Sequence, residues 1–168
     1  MKRKLFVALC FATAAFVACQ TTTVLPSIGV TCANPLDASA FGFTLSVPAD
    51  FACITVEPNS ELSVFVRYRQ GSTGPIISIA VPNSGTLPPG CGQDPNCENL
   101  PPTVNPAALS FVQTKFTATA AGLTVVSFSG FTQLPSGLVL GITVVGFSDD
   151  PALKTTFDAV VNSVALAP

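Results

Sequence analysis

The sequence predicts an α+β domain in which an antiparallel β-sheet of about five or six strands is covered by two helices. Several short segments alternate apolar and polar residues, which is the period of a half-buried strand. Two other segments begin with Asn-Pro or Asp-Pro and then place apolar residues at helical spacing. Gly and Pro separate these segments, so they predict turns between distinct elements.

The first eighteen residues predict a lipoprotein signal peptide. Its N-terminal end is positively charged because of Lys2, Arg3 and Lys4. The apolar stretch that follows is too short to span a bilayer. It ends in Phe16-Val17-Ala18-Cys19, which resembles the lipobox of bacterial lipoproteins. The resemblance implies that Cys19 becomes the mature N-terminus and carries fatty acid such as palmitate. The alternative is cleavage at Ala12-Thr13-Ala14, which would release a free secreted protein.

The cysteine count agrees with export. Of six cysteines, Cys10 leaves with the signal peptide and lipidation takes Cys19, so an even set remains for an oxidising compartment. The remaining four are Cys32, Cys53, Cys91 and Cys97. Four cysteines allow three pairings. We favour Cys91–Cys97, which closes a short loop, and Cys32–Cys53 follows by elimination. No metal site or cofactor is expected, because the chain has no histidine and no Cys-x-x-Cys pair.

Residues 19–40 show no sustained period, and they predict a lipidated N-terminus and tether before a domain over 41–168. The first half of that domain predicts four strands, at 41–47, 51–56, 62–69 and 76–81. Gly71 to Pro75 lie between the last two strands and predict a hairpin turn.

The second half predicts a disulfide-containing loop at 82–106 and then a helix over 106–121. Asn105-Pro106 matches an N-cap followed by Pro at the first helical position, and Gly122 suits the end of the helix. Strands are predicted at 123–132 and 138–147. Asp150-Pro151 predicts a closing helix. Its expected inner face consists of Leu153, Phe157, Val160, Val161 and Val164.

A family resemblance covers roughly residues 41–166. Phe41 to Phe51 resembles the opening strand of PsbP/DcrB-like domains, with an aromatic-Gly-Phe start and a closing Pro before another aromatic residue. Phe157 to Val164 is similar to their last helix. The resemblance implies an antiparallel sheet covered by helices and a binding or assembly role without chemistry. It carries over no binding residue.

Charge and residue types restrict the function. Four basic residues remain outside the signal peptide against nine acids, a net charge near −5, so a nucleic-acid partner is not expected. Without histidine, the common nucleophilic triads are unavailable. Arg67 and Arg69 share a strand face with Phe65, and two guanidinium groups beside an aromatic ring suit an acidic glycan or a partner carboxylate.

These observations predict a non-enzymatic bacterial cell-envelope lipoprotein that serves binding or assembly. It would be held to the membrane by the lipid on Cys19, face the periplasm or the cell exterior, and have an envelope protein or glycan as partner. One alternative is a secreted all-β adhesive module, in which residues 106–121 form a strand. The other is an envelope hydrolase that uses Lys115 or Lys154 beside a serine.

Overall fold

The computed structural model describes residues 30–56, 62–82, 85–147 and 150–168. The predicted signal peptide and Cys19 lie outside these residues, and only positions 30–40 of the predicted tether are described. Within the described ranges, every helix is too short or too polar to cross a membrane.

Ten strands form two antiparallel sheets, and a single α-helix is present in the described part of the chain. The strands are β1 Leu36–Ala38, β2 Phe43–Leu45, β3 Phe51–Val56, β4 Leu62–Gln70, β5 Ile76–Pro82, β6 Cys97–Val104, β7 Ser110–Ala120, β8 Leu123–Gln133, β9 Val139–Gly146 and β10 Ala165–Leu166. A 3₁₀ helix spans Ser39–Phe41, and helix α1 spans Pro151–Ser163. The small sheet has the order β1-β2-β10, and the large sheet has the order β3-β4-β5-β9-β8-β7-β6.

The predicted fold class is wrong. Strands account for 52% of the described residues and helices for 12%, so one α-helix and two sheets replace the expected two helices over one sheet. The main error is the helix over 106–121, because Ser110–Ala120 is strand β7. Leu109, Val112 and Phe116 match the helical period by coincidence. β-Branched residues at Val112, Thr114 and Thr117 favour a strand instead.

The predicted end of that helix is a hairpin turn. Ala121 and Gly122 both have positive φ, 51° and 77°. Two consecutive left-handed residues are typical of the tight turn that joins antiparallel strands. They connect β7 to β8, in which Ala120 pairs with Leu123.

The predicted loop at 82–106 contains the edge strand β6. The sequence did not predict this strand because it contains Pro101 and Pro102, and proline cannot donate a hydrogen bond to a neighbouring strand. The pairing with β7 is interrupted between Leu100 and Thr103, where the two prolines lie. A bulge at a sheet edge therefore accommodates them.

Other element predictions are confirmed. Strands β4 and β5 form the predicted hairpin, and β8 and β9 pair around the predicted turn. Helix α1 begins at Pro151, with the Asp150 side chain accepting a hydrogen bond from the Ala152 amide at 2.9 Å. Leu153 and Phe157 are buried in its inner face as expected.

The large sheet has two different faces. Helix α1 packs closely on β9 and β8, because Gly146 and Gly130 leave room for Leu153 and Phe157. The small sheet adjoins the C-terminal end of α1, where the Ser46 amide donates to Ser163 Oγ. We call this helix-bearing side the covered face. The opposite side, which no described helix or second sheet covers, is the open face.

The folded body includes part of the predicted tether. Val30, Leu36 and Ala38 are buried in the core. The buried Tyr68 hydroxyl donates to the Ala33 carbonyl at 2.6 Å. The folded body therefore starts at or before Val30, earlier than the predicted boundary at residue 41.

Candidate ligand-binding face

A row of hydroxyl side chains crosses the middle of the open face. Register pairs join one strand to the next, from Ser78 on β5 through Thr143 on β9 and Ser129 on β8 to Thr114 on β7. We call these four residues the hydroxyl row. Ser129 Oγ and Thr143 Oγ1 are hydrogen-bonded at 3.0 Å. All four residues are partly exposed.

The two predicted arginines lie at one end of this row. Arg67 is the register partner of Ser78, and Arg69 is two residues further along the same face of β4. The Arg67 guanidinium carbon lies 4.8 Å from the centre of the Phe65 ring, a cation–π distance. Arg69 Nη1 donates to the Ser72 carbonyl at 3.4 Å. The three side chains that the sequence placed on one strand face therefore do share one face.

An apolar row runs beside the hydroxyl row. Phe65 pairs with Ala80, Ala80 with Gly141, and Gly141 with Phe131. A Cβ atom on Gly141 would lie 2.9 Å from Phe131 Cε1, so the Phe131 ring lies over the glycine backbone. The sequence did not indicate Phe131 or the hydroxyl row, because each strand alone does not show which of its faces stays open.

The segment 85–91 borders the open face and ends at the disulfide loop. Gly85 approaches the Gly137 carbonyl in the β8–β9 turn. At the other end, the Cys91 amide donates to Asn99 Oδ1 on β6 at 3.1 Å. Asn99 is the register partner of Thr114, so this contact lies one strand beyond the end of the hydroxyl row.

Both disulfides are present with the favoured pairing. Cys32 and Cys53 have Cα atoms 5.7 Å apart, and those of Cys91 and Cys97 are 5.3 Å apart. Each bond attaches to an edge strand of the large sheet, β3 or β6, which pairs with only one other described strand. Disulfides form and persist in oxidising compartments, which indicates an extracytoplasmic location.

The lysines of the hydrolase alternative lie away from the open face. Lys115 lies with Glu98 in an open concavity of about 430 Å³ beside the disulfide loop. Its Nζ is 5.9 Å from the centre of the Phe128 ring. Lys154 forms an ion pair with Asp158 on helix α1. In the described residues, no group of three or more His, Cys, Asp or Glu side chains is arranged to hold a metal ion.

The perturbed ionisable groups also lie off the open face. Burial raises the pKa of Tyr68 to about 12. A hydrogen bond from the Ser39 amide lowers the pKa of the Asp37 carboxyl. Tyr68 is fully buried on the covered face, and Asp37 lies on β1 of the small sheet. The pKa shifts of Tyr68 and Asp37 therefore result from burial and local hydrogen bonding, and they do not indicate a ligand site.

Comparisons with known proteins show a fold likeness without a function. No family model and no curated protein matches the chain. A solved structure from Bacteroides thetaiotaomicron VPI-5482 is similar, with a TM-score of 0.53 and 7% sequence identity. The match covers 83% of this chain and 48% of the other, so this chain spans about half the length of that protein. The resemblance to PsbP/DcrB-like domains receives no support from these comparisons.

Proposed function

We propose that this chain is a non-enzymatic binding module of the bacterial cell envelope, anchored by a lipid on Cys19, that holds its ligand on the open face. One observation carries the binding role. Of the four basic residues outside the predicted signal peptide, Arg67 and Arg69 lie together on the open face. On the described strands, no carboxylate occupies an open-face position. Two guanidinium groups therefore lie beside the hydroxyl row of an acidic protein.

The lipid anchor is supported by the lipobox resemblance and by the cysteine count. With Cys91–Cys97 and Cys32–Cys53 formed, Cys19 is left over in the mature chain, as lipidation requires. Ten residues lie between Cys19 and Val30, and the eleven Cα–Cα steps that join them span at most about 40 Å. The open face would therefore lie close to the membrane surface when it binds its ligand.

Metabolic labelling with palmitate tests the anchor. The wild-type chain and Cys10→Ala should both incorporate label, because Cys10 leaves with the signal peptide. Cys19→Ala should incorporate none. Equal labelling of Cys19→Ala and the wild type would overturn the anchor.

Binding to isolated envelope fractions tests the role of the open face. We expect the purified chain to sediment with envelope material, and the double variant Arg67→Gln/Arg69→Gln to lose most of this binding. Lys154→Gln is the matched control, since it removes one positive charge from helix α1 on the covered side. Equal binding of the double variant and the control would refute the proposed site.

A secreted adhesive module is the second candidate, and one observation favours it. That alternative predicted a strand at 106–121, and Ser110–Ala120 is indeed strand β7. Cell fractionation distinguishes the two candidates. An anchored module stays with the membranes until detergent is added, whereas a secreted one is recovered from the medium.

A further inference from the structure

We infer that the end of the β7–β8 hairpin is a second membrane contact, which enters the interface of the same bilayer that holds the lipid on Cys19. The hairpin end consists of residues 118–125. This inference rests on the proposed function, because the lipid anchor brings the chain to the membrane. It goes beyond the anchor by assigning the end of the fold that faces the bilayer.

The hairpin end projects past the strands on either side of it. On one side, β9 ends at Gly146, the partner of Val126, so the three residues before Val126 extend beyond this last described pair. On the other side, β6 begins at Cys97, the partner of Phe116, so residues 118–120 lie beyond its register. Three strand residues are about 10 Å long. Interfacial segments enter the boundary between headgroups and acyl chains to a similar depth of about 5–10 Å.

The surface of the hairpin end is apolar and uncharged. Leu123 is 60% exposed, and Ala120 and Ala121 beside it are exposed as well. Residues 116–148 contain no charged side chain, although the chain as a whole is acidic. A bilayer surface can accept such an end, because no charge has to be taken out of water.

The polar groups of the hairpin end limit how deeply it enters the bilayer. Thr119 Oγ1 and Thr124 Oγ1 are hydrogen-bonded to each other at 3.1 Å, which lowers the cost of removing both hydroxyls from water. Ala120 pairs with Leu123 across the hairpin, but the outer edges of the projecting strands have no described ladder partner. Open strand edges do not occur in the hydrocarbon region. The hairpin end is therefore suited to the bilayer interface, where water remains.

The turn at the hairpin end also favours this assignment. Ala121 has a φ of 51° and Gly122 one of 77°. At the first position of such a turn, Asn or Asp is preferred, and alanine is strained there. The alanine therefore keeps the hairpin end apolar at a position where a polar residue would fit the backbone better.

The lipid anchor and the hairpin end can reach one membrane together. The Cys32–Cys53 disulfide attaches the start of the folded body to β3. Register pairs place Cys53 in one row with Phe128, four strand spacings or about 19 Å away. Gly122 lies about 20 Å further along β8 than Phe128. The tether between Cys19 and the folded body spans up to about 40 Å, so both contacts are possible at once. The sheet would then stand on end, with the open face directed to the side.

Tryptophan fluorescence of the full lipidated chain tests the inference, because the wild type contains no tryptophan. The chain is purified in detergent and reconstituted into vesicles of brominated phosphatidylcholine. In Leu123→Trp, the emission should shift to the blue and be quenched by the brominated acyl chains. Leu166→Trp is the matched control, since Leu166 is 41% exposed on β10, at the opposite end of α1 from Gly146. Its quenching should be severalfold weaker.

Ala121→Asp in the Leu123→Trp background separates membrane contact from folding. Asp suits the turn better than Ala, so the urea midpoint should stay the same or rise. The quenching should nevertheless be largely lost, because a carboxylate at the hairpin end is costly to remove from water.

Two fluorescence results would overturn the inference. One is equal quenching of Leu123→Trp and Leu166→Trp. The other is a blue shift of Leu123→Trp without quenching by brominated lipid, which would indicate contact with a second copy of the chain. Vesicle flotation distinguishes this failure from failure of the proposed anchor. A chain that floats with an unquenched Leu123→Trp keeps the anchor and loses only the hairpin contact, whereas a chain that does not float refutes both.

Discussion

Asn105 links two distant parts of the fold, and its replacement tests how the C-terminal end of helix α1 is held against the turn before β7. The residue lies between β6 and β7 and is 4% exposed. Its Nδ2 donates to the Val161 carbonyl at 3.2 Å and to the Val164 carbonyl at 3.0 Å, at the C-terminal end of helix α1. Its Oδ1 accepts from the Leu109 amide at 2.9 Å. One amide side chain therefore caps the helix and closes the turn.

Asn105→Ala should lower the free energy of unfolding by about 3 kcal/mol. Each intramolecular hydrogen bond contributes about 1 kcal/mol net, and three are lost. Asn105→Asp keeps the acceptor but loses both donors and places a negative charge at the negative end of the helix. We expect it to cost more than Asn105→Ala at pH 7. The pKa of the new carboxyl would be raised in the folded state, so its stability should recover as the pH falls through that pKa.

Urea denaturation followed by circular dichroism measures these changes. The midpoint should fall while the slope stays constant, as expected for a two-state change in stability. Asn162→Ala is the control, because Asn162 is exposed on the last turn of the same helix. A loss below about 1 kcal/mol for Asn105→Ala, or one equal to that of Asn162→Ala, would refute the capping role.

Three further predictions concern buried groups and the disulfides. The chain has one tyrosine and no tryptophan, so tyrosinate absorbance should show Tyr68 titrating near pH 12 when folded, and stability should be full below pH 10 and fall as the pH rises to 12. A folded-state midpoint near pH 10 would contradict this. Gln113 is 2% exposed, and its Nε2 finds no acceptor in the described residues; Gln113→Met should therefore leave the urea midpoint unchanged or raise it. If Gln113→Met lowered the free energy of unfolding by more than about 1 kcal/mol, the Gln113 amide would have to be hydrogen-bonded in the folded protein. Replacing Cys32 and Cys53 by alanine should cost about 3 kcal/mol and replacing Cys91 and Cys97 about 2, because the first pair closes the longer loop. A larger loss of unfolding free energy for the Cys91 and Cys97 replacement than for the Cys32 and Cys53 replacement would contradict the expectation that the longer loop contributes more.

Elements with strong local signals were predictable from the sequence. Helix α1 combines an Asp150 cap, Pro151 and an apolar stripe, all of which act within a few residues. The hairpin of β4 and β5 is similarly local. Strand β7 was misread because Gln113, a polar residue, occupies a buried position and breaks the alternation with Phe111.

Long-range contacts account for what the sequence could not show. The prediction that Asn105 is the N-cap of a helix at 106–121 is wrong; its side chain instead binds the C-terminal end of α1, where Val161 lies 56 residues away in the sequence. The open face exists because α1 packs on the other side of β8 and β9, which no single strand reveals. Arg67 and Arg69 were identifiable because both belong to one strand. The hydroxyl row draws on four strands and appears only when they pair.

Chemical-shift mapping of the isotopically labelled full chain, with a short oligogalacturonate as an acidic-glycan probe, shows which face binds ligand. We expect the probe to perturb alternate residues on adjacent strands, with Arg67, Ser78 and Thr143 among them. Val66, Ile79 and Ile142, their neighbours on the covered face, should change little. Perturbations confined to the covered face or to the concavity near Lys115 would contradict the assignment of the open face as the binding surface.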